Sequence, residues 1–163
     1  MKKLIYIAIM AFSLTSLTAC SKTLKSENLG IEVTLPGTGW KTVTDDSESF
    51  VISKDSDMVS YTSTNVPDGY KMPTSEEDIA ELLGDDIMSV SQISDFNYET
   101  NEDGSQQSLY FKQTLTVGES SSILINNYKI KGDKLVTAIA TLTDANEDKI
   151  NEIEEIIKST DLK

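Results

Sequence analysis

Few residue types in this chain could carry chemistry. It has one cysteine, Cys20, no histidine and no arginine, so every basic residue is lysine. Nucleophile–histidine arrangements are therefore excluded, as are histidine-ligated and four-cysteine zinc sites. The glycine patterns that bind nucleotide phosphates are also absent from the sequence. What remains is carboxylate chemistry, either an acid pair for glycoside hydrolysis or oxygen ligands for Ca²⁺.

One group of carboxylates has the spacing of a calcium-binding loop. Five oxygen-bearing residues near the end of the chain have the spacing of an EF-hand loop: Asp144, Asn146, Asp148, Glu152 and Glu155. The position that requires glycine is Lys149, and Ile150 begins a helical apolar period. A helix N-cap followed by a solvated acidic face explains these residues, so we expect neither a metal nor a cofactor.

A long segment without any basic residue, from Met72 to Phe111, is the stronger anomaly. If its helix lies over the following hairpin, its acids form one surface, which is either simply solvated or a docking surface for a cationic partner. We expect Tyr70 and Met72, in a proline-flanked loop, to be exposed beside it. The candidate binding surface comprises Glu76, Glu77, Asp78, Glu81, Asp85, Asp86, Tyr70 and Met72.

The segment before Cys20 has the pattern of an export signal. Lys2 and Lys3 precede an apolar run over 4–17, and Ala19 supplies a small residue at the cleavage site. The run is shorter than the ~20 residues that span a bilayer, which disfavours a permanent membrane helix. An ordinary secretory signal cut near Ala19 is the other alternative.

Leu17-Thr18-Ala19-Cys20 resembles the lipobox of bacterial lipoproteins. The resemblance implies that 1–19 is a signal peptide and that Cys20 becomes a lipidated N-terminus. The thiol of Cys20 would then carry lipid and could not form a disulfide. Two or more acyl chains hold a protein on a membrane where one would not. We expect 20–28 to be a short linker and 29–163 to be a single domain on the extracytoplasmic face of the cell membrane.

Charge constrains the partners further. The chain carries 14 lysines and 27 acidic residues, a net charge of −13. Without Lys2 and Lys3 the balance is 12 lysines against 27 acids, or −15. Nucleic acid is excluded as a partner, and anionic headgroups would repel the domain, so lipid must anchor it. The acidity indicates either solubility or a cationic partner, and the lysine bias favours a Gram-positive bacterium of low genomic G+C.

Hydrophobic periodicity predicts an α+β domain. Strands are expected over 30–35, 50–53, 58–63, 93–100, 108–117, 122–130 and 135–142, the last as a central strand covered on both faces. The short turns predict an antiparallel meander. A helix begins at Thr74 or Ser75, with Ile79, Leu82 and Leu83 as its apolar stripe.

A second helix is predicted from Ala145 to Ser159. Its N-cap is expected at Asp144, and its buried stripe comprises Ile150, Ile153, Ile156 and Ile157. Trp40, the only tryptophan, is expected in the core rather than at a ligand site.

The order of elements, with Leu35-Pro36, Trp40 and an isoleucine-rich closing helix, resembles the PsbP-like family over roughly 29–160. The resemblance implies an α/β/α sandwich with two main helices. It also implies non-enzymatic binding or assembly work, since the family has no shared catalytic set to transfer.

The function we expect is therefore that of a lipid-anchored, non-enzymatic binding or assembly accessory with a cationic peptide or membrane protein as partner. One alternative is an immunity-type lipoprotein that sequesters a cationic peptide. The other is a carboxylate-dependent hydrolase, which needs two acids about 5–10 Å apart in a cleft.

Overall fold

The computed structural model describes residues 22–143 and 145–163. Its strands are β1 (Lys22–Ser26), β2 (Ile31–Leu35), β3 (Lys41–Asp45), β4 (Ser49–Lys54), β5 (Asp57–Asn65), β6 (Ser91–Thr100), β7 (Gln106–Val117), β8 (Ser120–Lys131), β9 (Lys134–Thr143) and β10 (Asp161–Leu162). Its helices are α1 (Glu76–Leu83), α2 (Asp85–Met88) and α3 (Glu147–Lys158). The predicted signal peptide 1–19 and Cys20 lie outside the described residues.

The strands form a 7-stranded sheet in the order β3-β4-β5-β9-β8-β7-β6 and a 3-stranded sheet in the order β1-β2-β10. Neighbouring strands pair antiparallel throughout. The run from β6 to β9 is the predicted meander, because short turns force consecutive strands to pair. The predicted α+β class is confirmed.

The larger core lies on the face of the 7-stranded sheet that α3 and the small sheet cover. Ile153, Ile156 and Ile157 are buried there, as their helical spacing predicted, while Ile150 is half-buried at the edge. Trp40 is also buried in this core, as predicted. We call this face the α3 side of the sheet.

The smaller core lies on the opposite face, the α1 side. Ile79 of α1 and Met72 pack there against buried residues of the strands, which are Leu109, Phe111, Ile130 and Leu135. The helix begins after Ser75, as predicted; Ser75 caps it through a capping box with Asp78, and Gly84, at φ 78°, ends it before α2.

Three expectations about these elements are wrong. Leu82, assigned to the buried stripe of α1, is 72% exposed, because Ile79 and Leu83 make the contact with the sheet. Lys22–Ser26 of the predicted linker 20–28 is strand β1, paired with β2. The N-cap of α3 is Asn146, whose side chain accepts from the Lys149 N–H; the expected cap, Asp144, lies outside the described residues.

The central strand β9 is covered along its length on the α3 side, but only at its beginning on the α1 side. Val136, Ala138 and Ala140 are buried on the α3 side. On the α1 side only Leu135 is buried, while Ile139 is half-buried and Thr141 exposed. The expectation of a strand covered on both faces is therefore wrong for its second half, because α1 reaches only the β6–β8 half of the sheet.

Candidate functional site

The predicted acidic residues of α1 and α2 lie at the surface. Glu76, Glu77 and Glu81 of α1 are exposed, as are Asp85 and Asp86 of α2. Among the described residues, none of these five carboxylates forms an ion pair. They therefore present uncompensated negative charge.

Asp78 differs from the other acids of α1 because its carboxylate serves the helix cap. Its Oδ2 accepts the N–H groups of Thr74 at 2.8 Å and Ser75 at 3.1 Å. The hydrogen bond from the Thr74 backbone, with that from Ser75, holds the pKa of Asp78 below its ordinary value. This carboxylate is used within the fold rather than offered to a partner.

Exposed apolar side chains accompany these acids. Leu82 is 72% exposed and Val117 69%, and Ile87 and Val90 are each 41% exposed. The Thr116 N–H donates to the Val90 carbonyl at 2.8 Å, which brings the end of β7 beside α2. We define the acidic–apolar surface by the nine exposed residues Glu76, Glu77, Glu81, Leu82, Asp85, Asp86, Ile87, Val90 and Val117.

The proline-flanked loop before α1 does not contribute as expected. Met72 is only 5% exposed, because it fills the core between α1 and the sheet, so its predicted exposure is wrong. Tyr70 is half-buried against the same core, and burial raises its pKa. The loop therefore covers the α1-side core instead of presenting a contact surface.

The predicted single acidic surface is divided by the sheet. Asn97 pairs with Tyr110 and Glu99 with Ser108, and the pairs place these side chains on the α3 side. Asp95 also points to that side, where it contacts Lys112. Strand alternation thus carries Asp95 and Glu99 to the face opposite α1.

A groove of about 620 Å³ lies on the α3 side, between α3 and strands β6–β8. We call it the α3 groove; its lining residues are Asp95, Asn97, Glu99, Ser108, Tyr110, Asn127, Lys129, Glu154 and Lys158. Cross-strand pairing builds its floor in two rows, one through Tyr110 and one through Ser108. No local sequence pattern predicts this groove, because its residues come from four separate elements.

Alternating charges border the α3 groove. Lys112 Nζ contacts Asp95 and lies 2.8 Å from Glu154 Oε1. Lys158 Nζ lies 2.7 Å from Glu154 Oε2 and 4.2 Å from the centre of the Tyr110 ring. Asp95 has a φ of 53° in a bulge of β6 between Ser94 and Asn97, and such bulges re-aim side chains.

These charges suit binding better than acid–base catalysis. Partial burial alone would raise the pKa of Glu154, but the ammonium groups of Lys112 and Lys158 outweigh it and hold that pKa below its ordinary value. Burial, reinforced by the nearby Glu154 carboxylate, raises the pKa of Tyr110. Glu154 therefore stays ionised and Tyr110 stays protonated at neutral pH, whereas a carboxylic general acid needs a raised pKa.

Lysines also fix the end of the chain beside the groove. Lys131 Nζ donates to the Leu162 carbonyl at 2.7 Å, and Lys129 Nζ donates to the Thr160 carbonyl. Burial lowers the pKa of Lys129, against the nearby carboxylates of Asp161 and Glu99. Both ammonium groups are thus hydrogen-bonded to backbone carbonyls near the end of the chain.

Within 22–143 and 145–163, no cluster of three or more acidic or cysteine side chains could hold a metal ion. Glu152, one of the EF-hand-spaced residues, accepts instead from Trp40 Nε1 at 2.9 Å and from Lys54 Nζ at 2.7 Å. In the same part of the chain, no helix is long and apolar enough to cross a membrane.

Comparison with solved structures identifies the architecture. The solution structure of cyanobacterial PsbP (CyanoP) from Synechocystis sp. PCC 6803 matches with a TM-score of 0.55 and 13% identity, over 89% of this chain and 94% of that one. The domain has a PsbP-like fold.

A crystal structure from Bacteroides thetaiotaomicron VPI-5482 matches this PsbP-like domain with a TM-score of 0.50 and 14% identity, over 87% of this chain and 48% of that one. The chain thus spans about half the length of that protein. No protein-family model and no curated protein sequence matches the chain.

Proposed function

We propose that this protein is a lipid-anchored accessory on the extracytoplasmic face of the cell membrane, and that its PsbP-like domain binds a cationic partner without catalysing a reaction. The acidic–apolar surface is the proposed binding site. The partner is a basic amphipathic segment, either of a secreted peptide or of a membrane protein.

The combination of Leu82 and Val117, both largely exposed, with acids that have no ion-pair partner among the described residues is the observation that carries this proposal. Covering apolar surface contributes about 25 cal/mol per Å². The surrounding negative charge attracts a basic partner and repels an acidic one, so it supplies specificity and a faster association rate. A merely solvated acidic face would not need the exposed apolar side chains.

The anchoring part of the proposal depends on Cys20. Only Ser21 separates this cysteine from Lys22, the first residue of β1. One residue extends about 3.5 Å, so a lipid on Cys20 would hold the folded domain against the membrane. The partner is then a molecule that reaches the membrane surface.

Several observations favour binding over hydrolysis. The carboxylates that meet in the α3 groove, Asp95 and Glu154, are joined by Lys112. The resemblance to PsbP-like proteins likewise points to binding or assembly work, although fold alone does not fix function.

Peptide titration tests the binding site. The probe is a fluorescent amphipathic helical peptide with leucines on one face and lysines on the other. It is titrated into the full-length protein in mild detergent, and fluorescence anisotropy is the readout. We expect the triple variant Glu81→Gln, Asp85→Asn, Asp86→Asn to weaken binding at least tenfold. The matched control, Glu147→Gln, Asp148→Asn, Glu155→Gln, removes the same charge from exposed positions of α3 and should change binding less than twofold. Equal effects of the two triple variants would overturn the proposal.

Fatty-acid labelling in cells tests the anchor. Wild-type protein should incorporate a labelled fatty acid and sediment with membranes, and Cys20→Ala should do neither. Label in the Cys20→Ala protein would contradict the anchoring. Crosslinking in living cells then separates the two partners, because a membrane protein and a sequestered peptide differ in mass and in membrane association.

A further inference from the structure

The α3 groove already holds a cation, supplied by its own wall. The ammonium group of Lys158 lies 4.2 Å from the centre of the Tyr110 ring and 2.7 Å from Glu154 Oε2. An aromatic face beside a carboxylate is the arrangement by which proteins bind ammonium groups. The internal lysine therefore reveals which chemistry this part of the groove prefers.

The two groups that bind the ammonium are fixed independently of Lys158. Tyr110 is only 6% exposed, and Lys112 holds Glu154 through its other oxygen, Oε1. The Tyr110 hydroxyl is buried beside the Glu154 carboxylate. The positive φ of Asp95, the second partner of Lys112, costs free energy. Such costs concentrate at binding sites.

Lys158, by contrast, is easily displaced. Its side chain is 52% exposed, it lies in the last turn of α3, and its one ion pair within the described part of the chain is the i,i+4 contact with Glu154. Pairs of this kind are weak, because ordering a long side chain in water offsets the attraction. Rotation of the side chain into solvent would leave the ring and the carboxylate in place.

We propose that the α3 groove binds a primary ammonium group, carried by the lysine side chain or the N-terminus of a short peptide, and that Lys158 occupies this position until the ligand displaces it. The volume of about 620 Å³ suits a ligand of a few residues. Asn97 and Ser108 offer hydrogen bonds to its backbone. An anionic ligand would be repelled by the carboxylates of Glu99 and Glu154, which line the groove.

This site is independent of the acidic–apolar surface, since the two lie on opposite sides of the sheet. Neutralising Glu81, Asp85 and Asp86 would leave it unchanged. Peptide binding at the acidic–apolar surface and ammonium binding in the α3 groove can therefore each fail while the other proposal stands.

The variant Lys158→Ala empties the position and allows a direct test with n-butylammonium as the probe. Ligand that binds only the folded state raises the melting temperature by mass action. We expect n-butylammonium chloride to raise the melting temperature of the Lys158→Ala protein in a saturable manner, with a dissociation constant at least tenfold lower than for wild type. Lys158→Gln serves as a second variant if the alanine protein does not fold. Sodium butanesulfonate, which has the same chain and the opposite charge, should have no effect.

Two protein controls complete the test. Lys25→Ala removes the 2.9 Å ion-pair partner of Glu32, a half-buried carboxylate that keeps Lys163 at 3.4 Å, and should show no saturable response. Adding Glu154→Gln to Lys158→Ala should abolish the response, since it removes the charge that pairs with the ammonium. A response of the Lys25→Ala protein equal to that of Lys158→Ala, or one that survives Glu154→Gln, would overturn the proposal.

Discussion

The two sides of the 7-stranded sheet differ in how they use their charges. On the α3 side, the carboxylates of α3 that face the sheet are paired with its lysines, Glu152 with Lys54 and Glu154 with Lys112. On the α1 side, the acids of α1 and α2 form no ion pair among the described residues. The carboxylates of α3 that face the sheet are thus paired within the domain, whereas those of α1 and α2 are left for solvent or a partner.

The two sides also differ in how much apolar surface they bury. Of the residues in 22–143 and 145–163, 19 are buried in the α3-side core and 6 in the α1-side core. Since hydrophobic stabilisation follows buried apolar area, α3 and the small sheet contribute most of the stability of the domain. The α1 side leaves apolar groups such as Leu82 exposed, which are the groups that the proposed partner would cover.

The largest difference should appear when one core isoleucine on each side is shortened. Ile156→Ala removes a side chain that is 0% exposed within the α3-side core and should cost about 3–4 kcal/mol of unfolding free energy. Ile79→Ala, in the smaller core at 4% exposure, should cost about 2 kcal/mol, because α1 can shift to fill the cavity. Urea unfolding measures both, and equal costs would contradict the division.

A smaller effect is expected from the hydrogen bond that ties Trp40 to α3. Trp40→Phe removes the N–H that donates to Glu152 at 2.9 Å and should cost about 1.5 kcal/mol in urea unfolding. Tyr98→Phe is the control, because the Tyr98 hydroxyl reaches Gln107 only at 3.4 Å, and it should cost about 0.5 kcal/mol or less. A Trp40→Phe protein as stable as the control would show that this bond does not hold α3.

The paired charges of the α3 side should make stability depend on acid pH. The pKa values of Glu152 and Glu154 are held below the ordinary 4.5 by their lysines, against the opposing effect of burial. A depressed folded-state pKa contributes stability that is present above the unfolded-state pKa, so it is lost as pH falls below about 4.5. Melting temperatures between pH 7 and pH 3 should record this loss.

Glu154→Gln should flatten the acid dependence, whereas Glu81→Gln, on an exposed residue of α1, should leave it unchanged. If both variants kept the wild-type dependence, the ion pairs of the α3 side would not be its source.

The smallest effect on stability is expected at Leu82. A substitution there should weaken peptide binding while leaving the unfolding free energy almost unchanged. Because this side chain is 72% exposed, Leu82→Ser should change the unfolding free energy by no more than about 0.5 kcal/mol. The same substitution should weaken the leucine–lysine peptide several-fold in the anisotropy titration. A loss of stability above 1 kcal/mol would instead indicate that Leu82 packs in the folded protein.

Local patterns predicted the elements with strong periodicity. The meander and the buried isoleucines of α3 follow from apolar spacing, and the cap at Ser75 follows from a local hydrogen-bonding motif. Strands β1, β3 and β10 were missed, because they are short and mostly polar and form only through pairing with distant segments. The exposure of Leu82 and the burial of Met72 were also missed, since helix rotation and loop packing depend on the neighbouring sheet.

The candidate sites divide in the same way. The acids of α1 and α2 are adjacent in sequence, so composition alone identified them. The α3 groove combines Asp95, Tyr110 and Glu154, which are far apart along the chain, and a bulge turns Asp95 toward Lys112.

The sequence by itself determined the residue types available and therefore the excluded chemistry: no histidine, no arginine, one cysteine and a large excess of acid. It also determined the period of each strong strand and helix, because a side chain's direction along the backbone is a local property. Only the tertiary structure decided which acids are paired and which are left open. Pairing depends on distances between elements that are set by packing of the whole domain, and no local pattern encodes those distances.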